Sequence, residues 1–354
     1  MRPRTYYMLA IASLILIVLW LHLALLPQGG LFAILGVLLT INLFWLLPAF
    51  ALFGLSYILR AVRWWVLLRP FKTRGNPANL FPIYVGGIFL TYVAPLRAGD
   101  FAAPYWVREK RGTRFTAGLS AVLIERLVGF ASLIVLVMVF LVLLFGLAGG
   151  FVGYLTVGAF IGAAFVAFFL LIRSKRVVGF LARLASRLFK PSKRLRDEVP
   201  AFVEHLAEDL VKEIGSQHSG WAFLLSIPIW LLEALKLMYL GLAVGLPITP
   251  IQSCFVGSIS YMGGHFAGLL VPAGIGIFAF QAATLYQTLL AAGTGATLAQ
   301  VASIALLDGL VYVMGLTVLG VPSIASMGRG YRQLQDQGAP AKNARRSAVG
   351  KPKD

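Results

Sequence analysis

Apolar residues in this chain fall into long runs, separated by short and mostly basic breaks. The runs cover residues 6–26, 31–59, 79–95, 117–146, 150–172, 221–246, 251–271, 278–292 and 298–321. Several exceed 18 residues, the length at which a helix crosses the hydrocarbon of a bilayer. The pattern predicts an all-α polytopic membrane protein built as a helical bundle. The first run follows Arg2 and Arg4. It is long for the apolar part of a signal peptide and has no clear small-x-small cleavage site before Pro27, so it is read as a retained helix.

The breaks orient the runs. Basic residues next to a span favour the cytoplasmic side, so the N-terminus is expected inside and Pro27-Gln28-Gly29-Gly30 forms an outer turn. Arg60, Arg63, Arg69, Lys72 and Arg74 then bring the second run back to the inner face. A full crossing by 79–95 would leave Arg108, Lys110, Arg111 and Arg114 outside. A re-entrant hairpin that turns at Pro95-Leu96-Arg97-Ala98-Gly99 and returns through 100–107 removes this conflict. Irregular backbone at membrane depth is tolerated there only against protein or a wet cavity.

The next two runs go out and back. Between 173 and 220 lies the longest non-membrane stretch, with nine Lys or Arg from 173 to 196. Val177, Phe180, Leu181, Leu184 and Leu188 lie opposite Arg183 and Arg187, as in an amphipathic helix on the inner leaflet. Phe202 to Ile214 is amphipathic and acidic, completing a cytoplasmic helical insertion. A second break, with Pro272, Gly274 and Gly276, separates 251–271 from 278–292, as a second hairpin or between two full crossings. Each break precedes a long helix carrying a buried acid, Glu125 or Asp308, which is the logic of an inverted repeat. Residues 1–325 are thus a transmembrane domain with 173–220 as its insertion. Residues 326–354 are a basic tail expected to be disordered and cytoplasmic.

Composition agrees. The chain is 59% hydrophobic and 12% charged, too few polar groups to cover a soluble domain. Its net charge of +18 gathers beside the apolar runs, which points to anionic lipid and away from nucleic acid. Cys254 is the single cysteine, so no intrachain disulfide forms; His22, His205, His218 and His265 are scattered. No metal site and no cofactor are expected.

Charges within the apolar runs carry the chemistry, since each costs roughly 3 kcal/mol at the centre of a bilayer-spanning helix. Arg97 and Asp100 sit at the hairpin turn, where a guanidinium suits a phosphate or ties the turn together. Glu125 and Arg126 are neighbours and point about 100° apart, so each needs a different partner. Proton coupling through Glu125 and a fixed interhelical salt bridge are equally compatible with the sequence. Glu233 and Lys236, three apart, share a helix face and are expected to neutralise each other. Asp308 has no local partner, with Arg97 or Arg126 the obvious candidates. Arg60 and Arg63 with Trp64 and Trp65 read as a snorkelling and aromatic anchor, with Arg63 also able to contact a headgroup.

Arg60-x-x-Arg63-Trp64, Pro95-x-Arg97-x-Gly99-Asp100, Glu125-Arg126-Leu127 and Pro272-x-Gly274-x-Gly276 together resemble the motifs of the lysylphosphatidylglycerol synthase transmembrane-region family, also called flippase-like membrane proteins. The resemblance covers roughly residues 40–321. It departs at Asp100, where the family usually has Glu, at Ala103 for an Arg, at Ala273 for a Gly, and at Ala279-Phe280-Gln281, which supplies no acid. The resemblance implies lipid translocation or another lipid-related role in a bacterial or archaeal inner membrane. The aminoacyl-transfer chemistry of larger members belongs to a separate soluble domain, which 173–220 is too short to be.

The reading that follows is a lipid flippase-like transporter and not an enzyme. It would move an anionic or polyprenyl-phosphate headgroup past Arg97, Asp100, Glu125, Arg126 and Asp308, with Arg63, Glu233 and Lys236 as further substrate contacts. Its partners are membrane lipids, with a second copy or lipid-biosynthesis proteins also compatible. A membrane enzyme, or an accessory subunit of a lipid- or glycan-synthesis complex, is the alternative.

Overall fold

A computed structural model describes residues 30–93, 97–145, 193–270, 285, 293 and 295–349. Among these residues there are helices and no strands. The α-helices are α1 (Gly30–Leu39), α2 (Leu46–Leu68), α3 (Pro77–Val93), α4 (Gly99–Arg111), α5 (Phe115–Phe145), α6 (Lys193–Ile214), α7 (Gln217–Ala243), α8 (Pro250–Leu270) and α9 (Leu298–Val349). Among the described residues, four stretches are long and apolar enough to cross a membrane: Leu43–Phe71, Phe115–Leu144, Gln217–Ala243 and Leu298–Met327. The chain is a multi-pass helical membrane protein.

Local chemistry sets the ends of α2. A 3₁₀ turn, Leu43–Trp45, leads into it, and the Asn42 side chain accepts a hydrogen bond from the Phe44 N–H at 3.0 Å. Pro48 falls in the first turn of α2, where no N–H partner is required. At the far end Pro70 stops the helix, and Lys72 takes a left-handed conformation with φ 54°.

The most extensive packing is between α2 and α7, which form the centre of the bundle. α5 and α8 pack on α7, while α9 lies across α1, α2, α3 and α7. Phe53, Tyr57, Trp64 and Leu67 of α2 and Leu237 and Leu240 of α7 are buried in one apolar core. Small residues bring α7 and α8 close: a Cβ at Gly257 would lie 2.6 Å from the Ala234 Cβ.

α3 and α4, on either side of the break at Arg97, make a helical hairpin. Their 17 and 13 residues span about 25 and 20 Å, each short of the ~30 Å hydrocarbon. The two helices pack on each other, and Gly99 makes this possible: a Cβ there would sit 1.8 Å from the Gly87 carbonyl oxygen. Arg97, at the turn, is held in the left-handed region at φ 54°. Pro95 lies outside the described residues.

α6 docks against α5. It buries two carboxylates, Asp209 (1% exposed) and Glu213 (0%). Asp209 accepts from Arg114 Nη2 at 2.5 Å and from Thr116 Oγ1 at 2.7 Å; Glu213 accepts from Ser120 Oγ at 2.7 Å. These partners stand on the first turns of α5 and just before it, so the acids lie near the positive end of its dipole.

α9 continues to Val349, beyond the apolar run 298–321. Good helix formers such as Arg332, Gln333, Leu334 and Gln335 carry the helix past the apolar run. The first run, 6–26, the run 150–172, the basic helix at 177–188 and the second break with Pro272, Gly274 and Gly276 lie outside the described residues, and so does the repeat that depended on that break.

Glu213 makes docking of α6 sensitive to pH. Burial raises its carboxyl well above the usual 4.5; the Ser120 hydrogen bond opposes this, and Asp209 and Glu125 add to it. The docked state therefore favours the protonated acid. Its contribution is complete below about pH 4.5 and is lost as pH rises through the raised value. Hydrogen exchange of residues 203–214, corrected for intrinsic rates, is expected to quicken as pH climbs from 5 to 8. Glu213→Gln keeps an acceptor for Ser120 and is expected to flatten that dependence. An unchanged slope in the variant would assign the titration to another group.

Candidate functional site: three charged clusters inside the bundle

Among the described residues, the charges within the apolar runs form three clusters, and each draws on several helices. The first joins α2, α3, α5 and α7. Arg63, 2% exposed, donates from Nη2 to Glu125 Oε1 at 2.6 Å and from Nη1 to Ser226 Oγ at 2.7 Å. The Tyr84 hydroxyl donates to the same Glu125 oxygen at 2.6 Å. Arg63 was expected near the membrane interface; it is instead a core residue, with Glu125 and Ser226 accepting from its two terminal nitrogens.

The second cluster joins α2, α7, α8 and α9. Lys236 lies 2.7 Å from Glu233 Oε2 and 3.0 Å from Asp308 Oδ1. Arg60 reaches Glu233 Oε1 at 3.3 Å and lies over the Trp230 ring at 4.6 Å. Ser56 also donates to Glu233, and the Tyr261 hydroxyl donates to Asp308 Oδ2 at 3.2 Å. The Glu233–Lys236 pair is present as expected from its spacing. Asp308 meets Lys236, not Arg97 or Arg126, because α9 packs against α7 at this level. Two cations face two carboxylates here, and Lys236 is fully buried.

The third cluster lies at the hairpin. Asp100 Oδ2 accepts from Arg97 Nε at 3.1 Å, and Oδ1 accepts from Arg126 Nη2 at 2.8 Å and from Thr91 Oγ1 at 3.1 Å. Arg97 and Arg126 are 35% and 34% exposed and Asp100 20%. Two guanidiniums share one carboxylate, which also lies in the first turn of α4. Glu125 and Arg126 turn to different partners, as adjacent helical residues must.

The first and third clusters share the wall of one small cavity. Asp100, Glu125, Arg126, Tyr84, Trp64 and Gly99 line it, and its volume is only about 10 Å³. That is room for about one water. Among the described residues no group of His, Cys, Asp and Glu could hold a metal ion.

Tyr84, Ser56, Ser226, Thr91 and Tyr261 were missed from the sequence, since a hydroxyl in an apolar run looks like any other tolerated polar residue. Arg60 had a signal: it stands three residues before Arg63, so both project from neighbouring parts of one face.

The Arg63–Glu125 pair is a test of what these charges do for folding. Arg63→Leu strands a buried carboxylate and is expected to cost about 3 kcal/mol, less whatever protonation relieves. Adding Glu125→Leu is expected to recover most of that loss, because the uncompensated charge is gone. Unfolding titrations in mixed detergent micelles measure both. No recovery in the double variant would mean that the pair is not energetically coupled.

Comparison with known proteins bears on the whole chain. Glycosyltransferase AglD of Haloferax volcanii is 25% identical over 314 residues, covering 79% of this chain and 48% of that protein. The chain thus spans about half the length of the curated relative it matches. No solved structure matches it. The family model described as the lysylphosphatidylglycerol synthase TM region matches residues 7–320. That match takes in the hairpin and all three charged clusters, and the chain belongs to the lysylphosphatidylglycerol synthase TM region family.

Proposed function

We propose that this protein is a flippase-like transporter, not an enzyme, that moves the phosphate-bearing headgroup of an anionic or polyprenyl-phosphate lipid across the cell inner membrane. The observation that carries the reading is the charge balance of the Asp100 cluster. Two arginines share one acid there, and they are more exposed than any cation of the other two clusters. A guanidinium fork matches phosphate oxygens, and Asp100 keeps both forks in position between substrates. The lipid tails stay in the bilayer while the headgroup passes the polar wall.

A cavity that holds one water cannot hold a headgroup, so the described state is the closed one in this scheme. Opening would separate the α3–α4 hairpin, which carries Arg97 and Asp100, from α5, which carries Arg126. The hairpin enters from the cytoplasmic face, where both chain termini also lie. A cysteine at position 110 in a Cys254→Ser background is then labelled by impermeant reagent only from the inside; labelling from outside refutes that orientation.

A second reading has one observation in its favour. The matched relative is named a glycosyltransferase, and this supports an accessory role in lipid-linked glycan synthesis, or membrane enzymology.

Liposomes separate these readings. Wild-type protein is expected to move fluorescent phosphatidylglycerol or polyprenyl phosphate between leaflets without changing it. Arg97→Ala leaves Asp100 paired with Arg126 and so should fold. A lost bidentate phosphate contact of about 2 kcal/mol would slow transport about thirtyfold. Arg97→Lys is expected to fall between, and Arg97→Ala with Asp100→Ala should fold without regaining transport. Wild-type rates in the double variant would remove the cluster from substrate recognition. A chemically altered lipid would make the protein an enzyme, and neither movement nor alteration would leave the accessory role.

A further inference from the structure

A second basic feature lies apart from the Asp100 cluster, about 15 Å further along α4 at 1.5 Å per residue. Here a pocket of about 440 Å³ opens between the turn after α2 and the end of α4. Lys72, Arg74, Lys110 and Arg111 line it against a single carboxylate, Glu109. The transport scheme uses none of them.

The pocket is built rather than a chance gathering of surface charge. Lys72 is fixed in its left-handed conformation at the end of the 3₁₀ turn Arg69–Phe71, and Gly112, at φ 71°, turns the chain at the end of α4. Thr113 Oγ1 donates to Thr73 Oγ1 at 2.8 Å, joining the two walls. Arg111 Nη2 donates to the Asn79 carbonyl at 3.2 Å, and Trp65 Nε1 to the Gly75 carbonyl at 3.1 Å. Meanwhile Arg111 Nε is buried without a hydrogen-bond partner among the described residues. Burial, and then Arg111, hold the Lys110 ammonium below its usual range. A cavity with four cations and one acid on its wall suits an anion. Two arginine forks and two lysine point charges suit a phosphate above a lone carboxylate. Trp65, stacked under Arg69 at 4.7 Å, is the kind of residue that marks the headgroup level of a membrane.

We propose that this pocket binds a phosphate group, belonging to a membrane lipid headgroup or to a soluble phosphate compound. It is a separate site from the Asp100 cluster, and its occupancy does not depend on whether the protein transports lipid.

The test uses the full-length protein in neutral detergent, offered mixed micelles of phosphatidic acid and phosphatidylcholine, with retained lipid counted by native mass spectrometry. Inorganic pyrophosphate, titrated by calorimetry, is the soluble probe. Lys72→Gln with Arg74→Gln and Lys110→Gln removes three cations and leaves Arg111 on Asn79. Lys342→Gln with Arg345→Gln and Arg346→Gln removes the same charge elsewhere in the chain. Wild type and the second variant are expected to prefer phosphatidic acid by about tenfold, and the pocket variant to lose that preference with its melting temperature unchanged. Retention that pyrophosphate does not disturb assigns a lipid headgroup. Pyrophosphate binding that the pocket variant loses, without a lipid preference, assigns a soluble compound; displacement of lipid by pyrophosphate confirms the shared phosphate chemistry. Equal binding in the pocket variant, equal loss in the second variant, or no binding of either ligand by wild type would overturn the proposal.

Discussion

A carboxylate buried among apolar helices must find a cation, and Glu233 finds two. Lys236, on its own helix, and Arg60, on α2, flank it, and Lys236 passes the interaction on to Asp308 of α9. Removing one partner from such a pairing costs several kcal/mol, far more than the net worth of the intact pair. The arrangement therefore acts less as a glue than as a rule of register. Any sliding of α2, α7 or α9 that parts these groups leaves a bare charge in a low dielectric. The same rule fixes α5, through Arg63 and Glu125. Apolar contact between helices says little about register in lipid, and the ion pairs supply what it lacks.

Much of this was legible along the chain, and the limit of legibility is physical. Length and hydropathy are local, so the runs at 117–146 and 221–246 emerge as Phe115–Phe145 and Gln217–Ala243. The i,i+3 spacing of Glu233 and Lys236 places both on one face, and they do pair. Which helix meets that face is not local. Asp308 therefore went to Lys236 instead of to an arginine of the hairpin, and Arg63 went inward to Glu125 instead of outward to the interface. Asp209 and Glu213 show the same limit. On an isolated amphipathic helix they belong to the wet side, and only the first turns of α5, with Thr116 and Ser120, turn that side into an interface.

The α3–α4 hairpin has helices shorter than a full membrane crossing needs. The reason they can lie together is finer than hydropathy. Gly99 meets the Gly87 carbonyl at a distance no side chain tolerates. The resulting turn holds Arg97 and Asp100 where α5 can offer Arg126.

The three clusters differ in how firmly they hold. In the first two, cations and acids balance and solvent is excluded, so a broken pair costs on the order of 3–5 kcal/mol. The Asp100 cluster has an unmatched positive charge and open edges, and a pair that water can reach is worth about 1 kcal/mol or less. The Arg126–Asp100 bond crosses the seam between the α3–α4 hairpin and α5, while the firm pairs bind α2, α5, α7 and α9 to one another. The hairpin meets the firm set by apolar packing of α3 on α2 and α9 and, among polar contacts, by the Tyr84 hydroxyl on Glu125, a hydrogen bond of ordinary worth. If one part of this bundle moves against the rest, the energies select the hairpin. Its motion would expose the unmatched guanidiniums and take the Tyr84 hydroxyl from Glu125, while the Arg63–Glu125 and Lys236 pairs stay in place.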